Sequence, residues 1–169
     1  MAQRRFHYDA AFEHYLRANA IPYVAVDEAK RAVHGATVPR KLKSFDFVVY
    51  SSTGPNLLID VKGRKHTART GRGMQNWVTD EDVRCLETWR GIFGDGFEAA
   101  FAFLFWCDAQ PPDALFHEVF TFGDRWYAVL GVTLSAYREH MRRRSAKWNT
   151  VSIPAKAFDE LATPLKAML

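Results

Sequence analysis

The strongest constraint on the fold is an unbroken apolar stretch in the second half of the chain. Residues Ala99–Cys107 read Ala-Ala-Phe-Ala-Phe-Leu-Phe-Trp-Cys, without a charged side chain. This run is far shorter than the roughly 20 apolar residues that cross a bilayer. Phe101–Trp106 therefore predicts a strand that is buried on both faces, inside a covered sheet.

Composition is that of an ordinary globular protein. The 169 residues are 48% hydrophobic and 25% charged, with no internal repeat or low-complexity linker. We expect one domain over residues 1–169, with a core at about 6–108 and an extension at about 109–169. The two cysteines, Cys85 and Cys107, fall in a predicted helix and a buried strand, which favours core thiols over a disulfide. The chain begins without the apolar segment of a secretory signal, which predicts a cytoplasmic protein with no membrane association.

Apolar spacing and turn-forming residues predict the other elements. Asp9 is a plausible N-cap for the first helix. Ser51–Asn56 is a dense turn between two β-like segments, so a hairpin is expected there. The order of predicted elements is a helix at 9–19, strands at 23–26, 44–50 and 57–61, a helix from Thr79 to Phe93, the central strand, a hairpin at 116–122 and 126–130, a helix at 134–143, a segment at 151–153 and a helix after Pro154. Basic loops are predicted at 29–43 and 63–76. This order defines a mixed α/β fold.

The hairpin carries two carboxylates and an ammonium. Strand side chains alternate between faces, so Asp60 and Lys62 share a face, and Asp46 on the partner strand can stand beside Asp60. Two neighbouring carboxylates repel, and a divalent cation relieves that repulsion. Hard oxygen ligands favour Mg²⁺ or Mn²⁺. An Asp-x-Lys triplet is often only an exposed pair, but these charges interrupt apolar strands, and that favours a site.

These residues resemble a known motif. Asp46, followed fourteen positions later by Asp60-Val61-Lys62, resembles the bipartite motif of the PD-(D/E)XK nucleases, which include restriction endonucleases and archaeal Holliday-junction resolvases. The order of elements over residues 6 to 108 is similar as well. Phe45 stands where the family has the proline that names the motif. The resemblance implies a restriction-endonuclease-like αβββαβ core with a mixed central sheet and a C-terminal α+β extension.

The resemblance also implies a chemistry, which is metal-dependent hydrolysis of phosphodiester bonds with Mg²⁺ or Mn²⁺. Asp46 and Asp60 would be the principal metal ligands, and the Val61 carbonyl a further ligand. Lys62 would orient or activate the attacking water. Glu13 matches the glutamate that many members carry on the first helix to support the metal, although a glutamate on the flank of an amphipathic helix also has an ordinary structural explanation.

Basic residues cluster in two places, and the net charge is +4. The first cluster abuts Lys62 and predicts a loop that contacts phosphates. It consists of Arg64, Lys65, Arg69 and Arg72. The second consists of Arg138, Arg142, Arg143, Arg144 and Lys147. Either cluster alone is also typical of a solvated face. Tyr8, Tyr15 and Trp77 are candidates for base stacking, or for the core.

The sequence therefore predicts a small Mg²⁺-dependent endonuclease acting on nucleic acid, in the first place DNA, in repair, recombination or defence. The sequence is compatible with a homodimer. The first alternative is a non-catalytic nucleic-acid-binding or assembly module that keeps the nuclease fold, and the second is a protein-interaction domain.

Overall fold

The computed structural model describes residues 2–26, 42–67, 74–111 and 118–169. The elements are α1 Ala2–Ala18, β1 Tyr23–Ala25, β2 Phe47–Val49, β3 Asn56–His66, β4 Val78–Thr79, α2 Asp80–Phe93, β5 Phe97–Cys107, β6 Val119–Phe122, β7 Arg125–Thr133, α3 Leu134–His140, β8 Arg142–Ser145, β9 Thr150–Ser152, α4 Ala155–Leu161 and a closing 3-10 turn Leu165–Met168. The predicted order helix, three strands, helix, strand is confirmed, with the two-residue β4 added before α2.

The central sheet has six strands in the order β1-β2-β3-β5-β7-β6. Strands β3 and β5 are parallel, and the other described neighbours in this sheet are antiparallel. A parallel pair needs a crossover connection, and α2 supplies it between β3 and β5. The sheet is therefore mixed, and the α/β prediction is confirmed.

Strand β5 separates the two layers of the core. Phe101, Phe103 and Phe105 belong to the apolar cluster that includes residues of α2 and α3. Ala102 and Leu104 belong to the opposite cluster, which includes residues of α1. Alternate side chains of one strand thus fill both layers, as the period of two requires. The predicted strand buried on both faces is confirmed.

Helix α2 begins and ends where local signals predict. The Thr79 hydroxyl accepts the Asp82 N–H at 3.0 Å, and the Asp82 carboxylate accepts the Thr79 N–H at 3.0 Å. This reciprocal pair is a capping box, which satisfies two donors at the start of a helix. Gly94 ends the helix with φ 76, a left-handed conformation that glycine adopts at little cost.

Helix α1 is longer than predicted. It begins at Ala2, so Asp9 lies inside the helix, and its assignment as the N-cap is wrong. No glycine or proline interrupts residues 2–8, so nothing in this segment stops the helix before Asp9. Long-range contacts hold this extra length in place, because Nδ1 of His7 lies 3.0 Å from the Tyr127 hydroxyl on β7.

Strand β3 is also longer than predicted, and Gly63–His66 are part of it rather than of a loop. All of β3 pairs in parallel with β5, from Asn56 opposite Phe97 to His66 opposite Cys107. The long partner strand therefore keeps this basic segment extended. Gly63 is required by a close approach, because a Cβ at this position would collide with the Tyr8 ring. The predicted phosphate contacts Arg69 and Arg72 lie outside the described residues.

Strand β2 is shorter than the predicted strand over residues 44–50. Phe47 and Val49 pack in the cluster on the α1 side, whereas Phe45 packs in the opposite cluster. Phe45 therefore does not share a face of the sheet with Phe47 and Val49, as one regular strand over residues 44–50 would require. Asp46, the residue just before β2, lies in a bend and not in regular strand geometry. Most of the predicted basic loop at 29–43 lies outside the described residues.

The last third of the chain extends the central sheet. The predicted hairpin is β6 and β7, and β7 pairs with β5. The predicted helix at 134–143 ends at His140, and Arg142–Ser145 instead form β8, the edge of a small sheet in the order β4-β9-β8. Both cysteines are free thiols, as predicted. In the described ranges, no helix combines the length and the apolar character needed to cross a membrane.

Candidate active site

Asp60 and Lys62 point to the same side of β3 and form an ion pair. The Asp60 carboxylate is buried, with 5% of the residue exposed. The Lys62 ammonium lies 2.9 Å from Asp60 Oδ2 and 3.0 Å from Asp82 Oδ2. One ammonium therefore joins a carboxylate of the central sheet to a carboxylate of the first turn of α2.

Asp82 also belongs to this cluster, although its residue pattern in the sequence does not indicate a contact with Lys62. Its position follows from the capping box, in which its carboxylate accepts the Thr79 N–H. The ammonium of Lys43 also forms an ion pair with Asp82. The spacing Thr79-x-x-Asp82 was a readable signal for the cap, but not for the contact with Lys62, which depends on how α2 packs beside β3.

Asp46, the residue just before β2, lies in the same region as Asp60. Its main-chain N–H donates to the Ile59 carbonyl at 2.9 Å, and its Oδ2 accepts the Val61 N–H at 2.7 Å. The carboxylate is thereby fixed beside the peptide that joins Asp60 to Val61. The structure thus places Asp46, Asp60 and Lys62 in one neighbourhood.

The two acids that share Lys62 have pKa values shifted in opposite directions. Burial raises the pKa of Asp60 to about 7, and the charges of Asp46 and Asp82 add to this rise against the opposing effect of Lys62. Burial also acts to raise the pKa of Asp82, but Lys62, Lys43 and the Thr79 N–H outweigh it and hold that pKa well below its usual range. The difference arises because Asp82 has three donors around it, whereas Asp60 is buried among carboxylates.

The donor set suits a hard divalent cation. The ligands that the resemblance implies are the carboxylates of Asp46 and Asp60 and the carbonyl of Val61, all oxygen donors. The raised pKa of Asp60 reflects first its burial and then the negative charges of Asp46 and Asp82, and a bound cation would favour the charged carboxylate. Within the described ranges, no group of three His, Cys, Asp or Glu side chains is arranged to hold a metal. A cation here would therefore depend on two carboxylates, a main-chain oxygen and water.

Two acids on α1 lie near this site, one turn apart. Glu13 accepts hydrogen bonds from Arg17 at 2.8 Å and from the Tyr23 hydroxyl at 2.7 Å. It lines a cavity of about 260 Å³ with Asp46, whereas Asp9 lines both this cavity and the larger cleft that contains Asp60. Asp9 is therefore the α1 acid that borders both halves of the candidate site. The four-residue spacing of Asp9 and Glu13 was a signal for a shared helix face.

The larger cleft has a volume of about 670 Å³, and Asp60 and Lys62 line it. Its other walls combine cations with aromatic rings, including Tyr8, Lys65 and Trp106. The Lys65 ammonium lies 4.9 Å from the centre of the Trp106 ring and 3.1 Å from the Asp108 carboxylate. Such a lining offers contacts both to phosphate and to the faces of bases.

The predicted basic and aromatic residues have different environments. Arg138 pairs with Glu87 at 3.0 Å, so its charge is compensated. Arg142, Arg143 and Arg144 are exposed on β8. Tyr15 is a core residue, 2% exposed, and its hydroxyl donates to Glu118 at 2.6 Å. Tyr15 is therefore excluded as a stacking platform, whereas Tyr8 lines the cleft.

Comparison of the sequence with family models and with curated proteins gives no match. Comparison of the structure matches Archaeoglobus fulgidus Hjc, a Holliday junction resolvase from an archaeal hyperthermophile, with a TM-score of 0.58 and 15% sequence identity. The match covers 96% of this chain and 98% of that chain. The fold is therefore that of the restriction-endonuclease-like proteins. The match also extends past residue 108, so the likeness in fold is not limited to the residues whose order of elements is similar.

Proposed function

We propose that this protein is a metal-dependent endonuclease that hydrolyses phosphodiester bonds in DNA. The observation that carries the proposal is the convergence of Asp46, Asp60 and Lys62 at a buried carboxylate beside a basic, aromatic cleft. The fold likeness to a resolvase supports it at the level of architecture. Because Hjc is a Holliday junction resolvase, recombination is the first pathway to test, with repair and defence after it.

The proposed roles rest on the resemblance to the nuclease motif together with the contacts of these residues. Asp46, Asp60 and the Val61 carbonyl would hold Mg²⁺ or Mn²⁺, with support from Glu13. Such a cation, when bound, polarises the scissile phosphate and lowers the pKa of water. Lys62 would position the attacking water or stabilise charge on the phosphate. Asp82 is a positioning residue, because it fixes the ammonium of Lys62 from the α2 side.

The DNA would lie along the cleft. Arg64 and Lys65 border it, and Arg69 and Arg72 follow in the sequence. Their cations would contact phosphates and release counterions, so binding should weaken as salt rises. A homodimer would let two such sites act on two strands, which is a further part of the proposal.

Cleavage assays test this proposal. Labelled duplex, branched and single-stranded DNA are incubated with Mg²⁺, with Mn²⁺ or with a chelator. We expect cutting with metal, and its loss in Asp60→Asn and in Lys62→Ala at unchanged circular dichroism. Asp124→Asn, in the exposed β6–β7 turn, is the matched acidic control and should cut normally. Equal cutting by all four proteins would refute the assignment.

A second candidate is a non-catalytic DNA-binding module on the same fold. It is favoured by the engagement of Lys62 with two carboxylates, which compensates its charge. This candidate predicts DNA binding without cutting, and no uptake of Mg²⁺ or Mn²⁺ by calorimetry.

A further inference from the structure

Two guanidinium groups converge on one indole ring. The Cζ atom of Arg64 lies 4.0 Å from the centre of the Trp77 ring, and that of Arg144 lies 5.4 Å from it. Arg64 comes from the central sheet and Arg144 from the small sheet, while Trp77 immediately precedes β4. We call these three residues the Arg-Trp-Arg cluster.

The cluster adjoins the candidate active site. Arg64 is two residues beyond Lys62 on β3, so both side chains project to the same side of the strand. A strand rises about 3.3 Å per residue, which places the Arg64 backbone roughly 7 Å from that of Lys62. Arg64 also lines the cleft that contains Asp60 and Lys62. A strand of nucleic acid whose phosphate reaches Lys62 would therefore pass the cluster.

The two guanidinium groups of the cluster have no direct carboxylate partner within the described part of the chain, although the charge of Asp82 acts on Arg64. Arg64 donates to the carbonyls of Gly63 and Trp77, and its Nε is buried without a partner among the described residues. Neither Arg64 nor Arg144 forms an ion pair with a described carboxylate. Lys65 differs, because it pairs with Asp108. Two cations held against one ring repel each other, and an anion bound beside them would relieve that repulsion.

The backbone directs Arg144 toward this position. In the small sheet, Arg143 pairs with Val151 and Ser145 pairs with Thr150, so Arg144 is the additional residue of a β-bulge. A bulge re-aims a side chain and is common beside functional sites. Arg144 and Trp77 also line a cavity of about 420 Å³, which gives a ligand access to the cluster.

We infer that the Arg-Trp-Arg cluster binds a phosphodiester of the nucleic-acid strand, next to the bond that is cut at Asp46 and Asp60. The inference rests on the proposed function. The planar guanidinium of Arg144 would donate two hydrogen bonds to one phosphate. The indole ring holds both guanidinium groups over its face.

Equilibrium binding tests the cluster without any cutting. Labelled duplex DNA is titrated with the full chain in chelator at salt concentrations from about 50 to 200 mM, and fluorescence anisotropy gives Kd. Arg144→Ala should weaken binding roughly tenfold and reduce the slope of log Kd against log salt by about 0.9, the value for one phosphate contact. Arg144→Lys should keep the slope but not the affinity, because lysine keeps the charge and lacks the planar guanidinium that donates two parallel hydrogen bonds.

Arg138→Ala is the control, because it removes the same charge from a residue that already pairs with Glu87. If Arg144→Ala and Arg138→Ala give equal slopes and affinities, the inference is refuted. DNA carrying a single uncharged methylphosphonate linkage then locates the contact. One linkage beside the cut bond should weaken binding by the wild type more than binding by Arg144→Ala.

The two proposals can fail separately. If the wild type cuts DNA but no methylphosphonate linkage affects binding in a way that depends on Arg144, the proposed role of the cluster is refuted and the proposed nuclease activity stands. Absence of DNA binding by the wild type would overturn both.

Discussion

The ammonium of Lys62 lies 3.0 Å from the carboxylate of Asp82, a residue of the next helix rather than of the strand motif. Asp82 is itself held by the N-terminal cap of α2, where Thr79 and Asp82 exchange hydrogen bonds. The start of α2 therefore sets the position of Lys62. This link between a helix cap and an active-site ammonium makes Asp82 a sensitive position for both stability and activity.

Replacing Asp82 with Asn should lower both quantities. The change removes one charge partner of a nearly buried lysine, and breaking a buried pair costs about 3 kcal/mol. Without that partner Lys62 loses a fixed position, so kcat should fall more than KM changes. Urea unfolding and cleavage kinetics measure the two effects. Asp80→Asn is the control, because Asp80 lies in the same turn but pairs only with the exposed Arg84 among the described residues. Equal results for the two variants would contradict this role.

The carboxylate of Asp82 should also control how the free energy of unfolding depends on pH in the acid range. The pKa of Asp82 is held well below its usual range in the folded chain. The unfolded chain therefore takes up the proton first, and the free energy of unfolding should fall as the pH drops below about 4. Asp60 affects the free energy of unfolding in a separate, higher pH range, because its pKa is raised to about 7. Denaturant unfolding from about pH 5 to pH 2 should show a flatter slope in Asp82→Asn than in the wild type. Parallel curves would show that Asp82 does not control this limb.

Gly63 should tolerate no side chain. A Cβ at this position would collide with the ring of Tyr8, so Gly63→Ala must displace α1 or the strand. We expect a loss of about 1–3 kcal/mol in the free energy of unfolding. The double variant Gly63→Ala, Tyr8→Ala removes the collision and should lose less than the two single losses combined. Gly91→Ala is the control, because nothing lies near its Cβ position and an alanine favours the helix. Additive losses in the double variant would show that the two residues do not meet.

The elements that could be predicted from sequence are those set by local or periodic signals. The cap at Thr79, the stop at Gly94 and the two-sided burial of β5 all depend on neighbouring residues or on a regular period. The acid pair was predictable too, because a short turn leads the chain back from Asp46 to Asp60.

Other features depend on partners distant in sequence. The end of β3 follows from the length of β5, and Gly63 is explained only by Tyr8 on α1. The sequence wrongly indicates Asp9 as the start of a helix, because no local residue marks the beginning of α1 at Ala2. The contacts of Asp82 with Lys62 and of Arg144 with Trp77 require the packing of separate elements. The organisation of residues 1–169 as one domain stays a prediction.

Metal uptake separates the roles of the acids from that of the lysine. Mn²⁺ titrated into the full chain should bind the wild type, and binding should be lost in Asp46→Asn and in Asp60→Asn, since each removes a charged oxygen donor. Lys62→Ala should retain the metal, because an ammonium is not a ligand, and yet should not cut DNA. Saturating metal should also raise the free energy of unfolding, by about 2.7 kcal/mol at a hundredfold excess over Kd. Asp124→Asn serves as the control for removal of an acid. Equal uptake by Asp60→Asn and by the wild type would show that the buried carboxylate of β3 does not hold the ion.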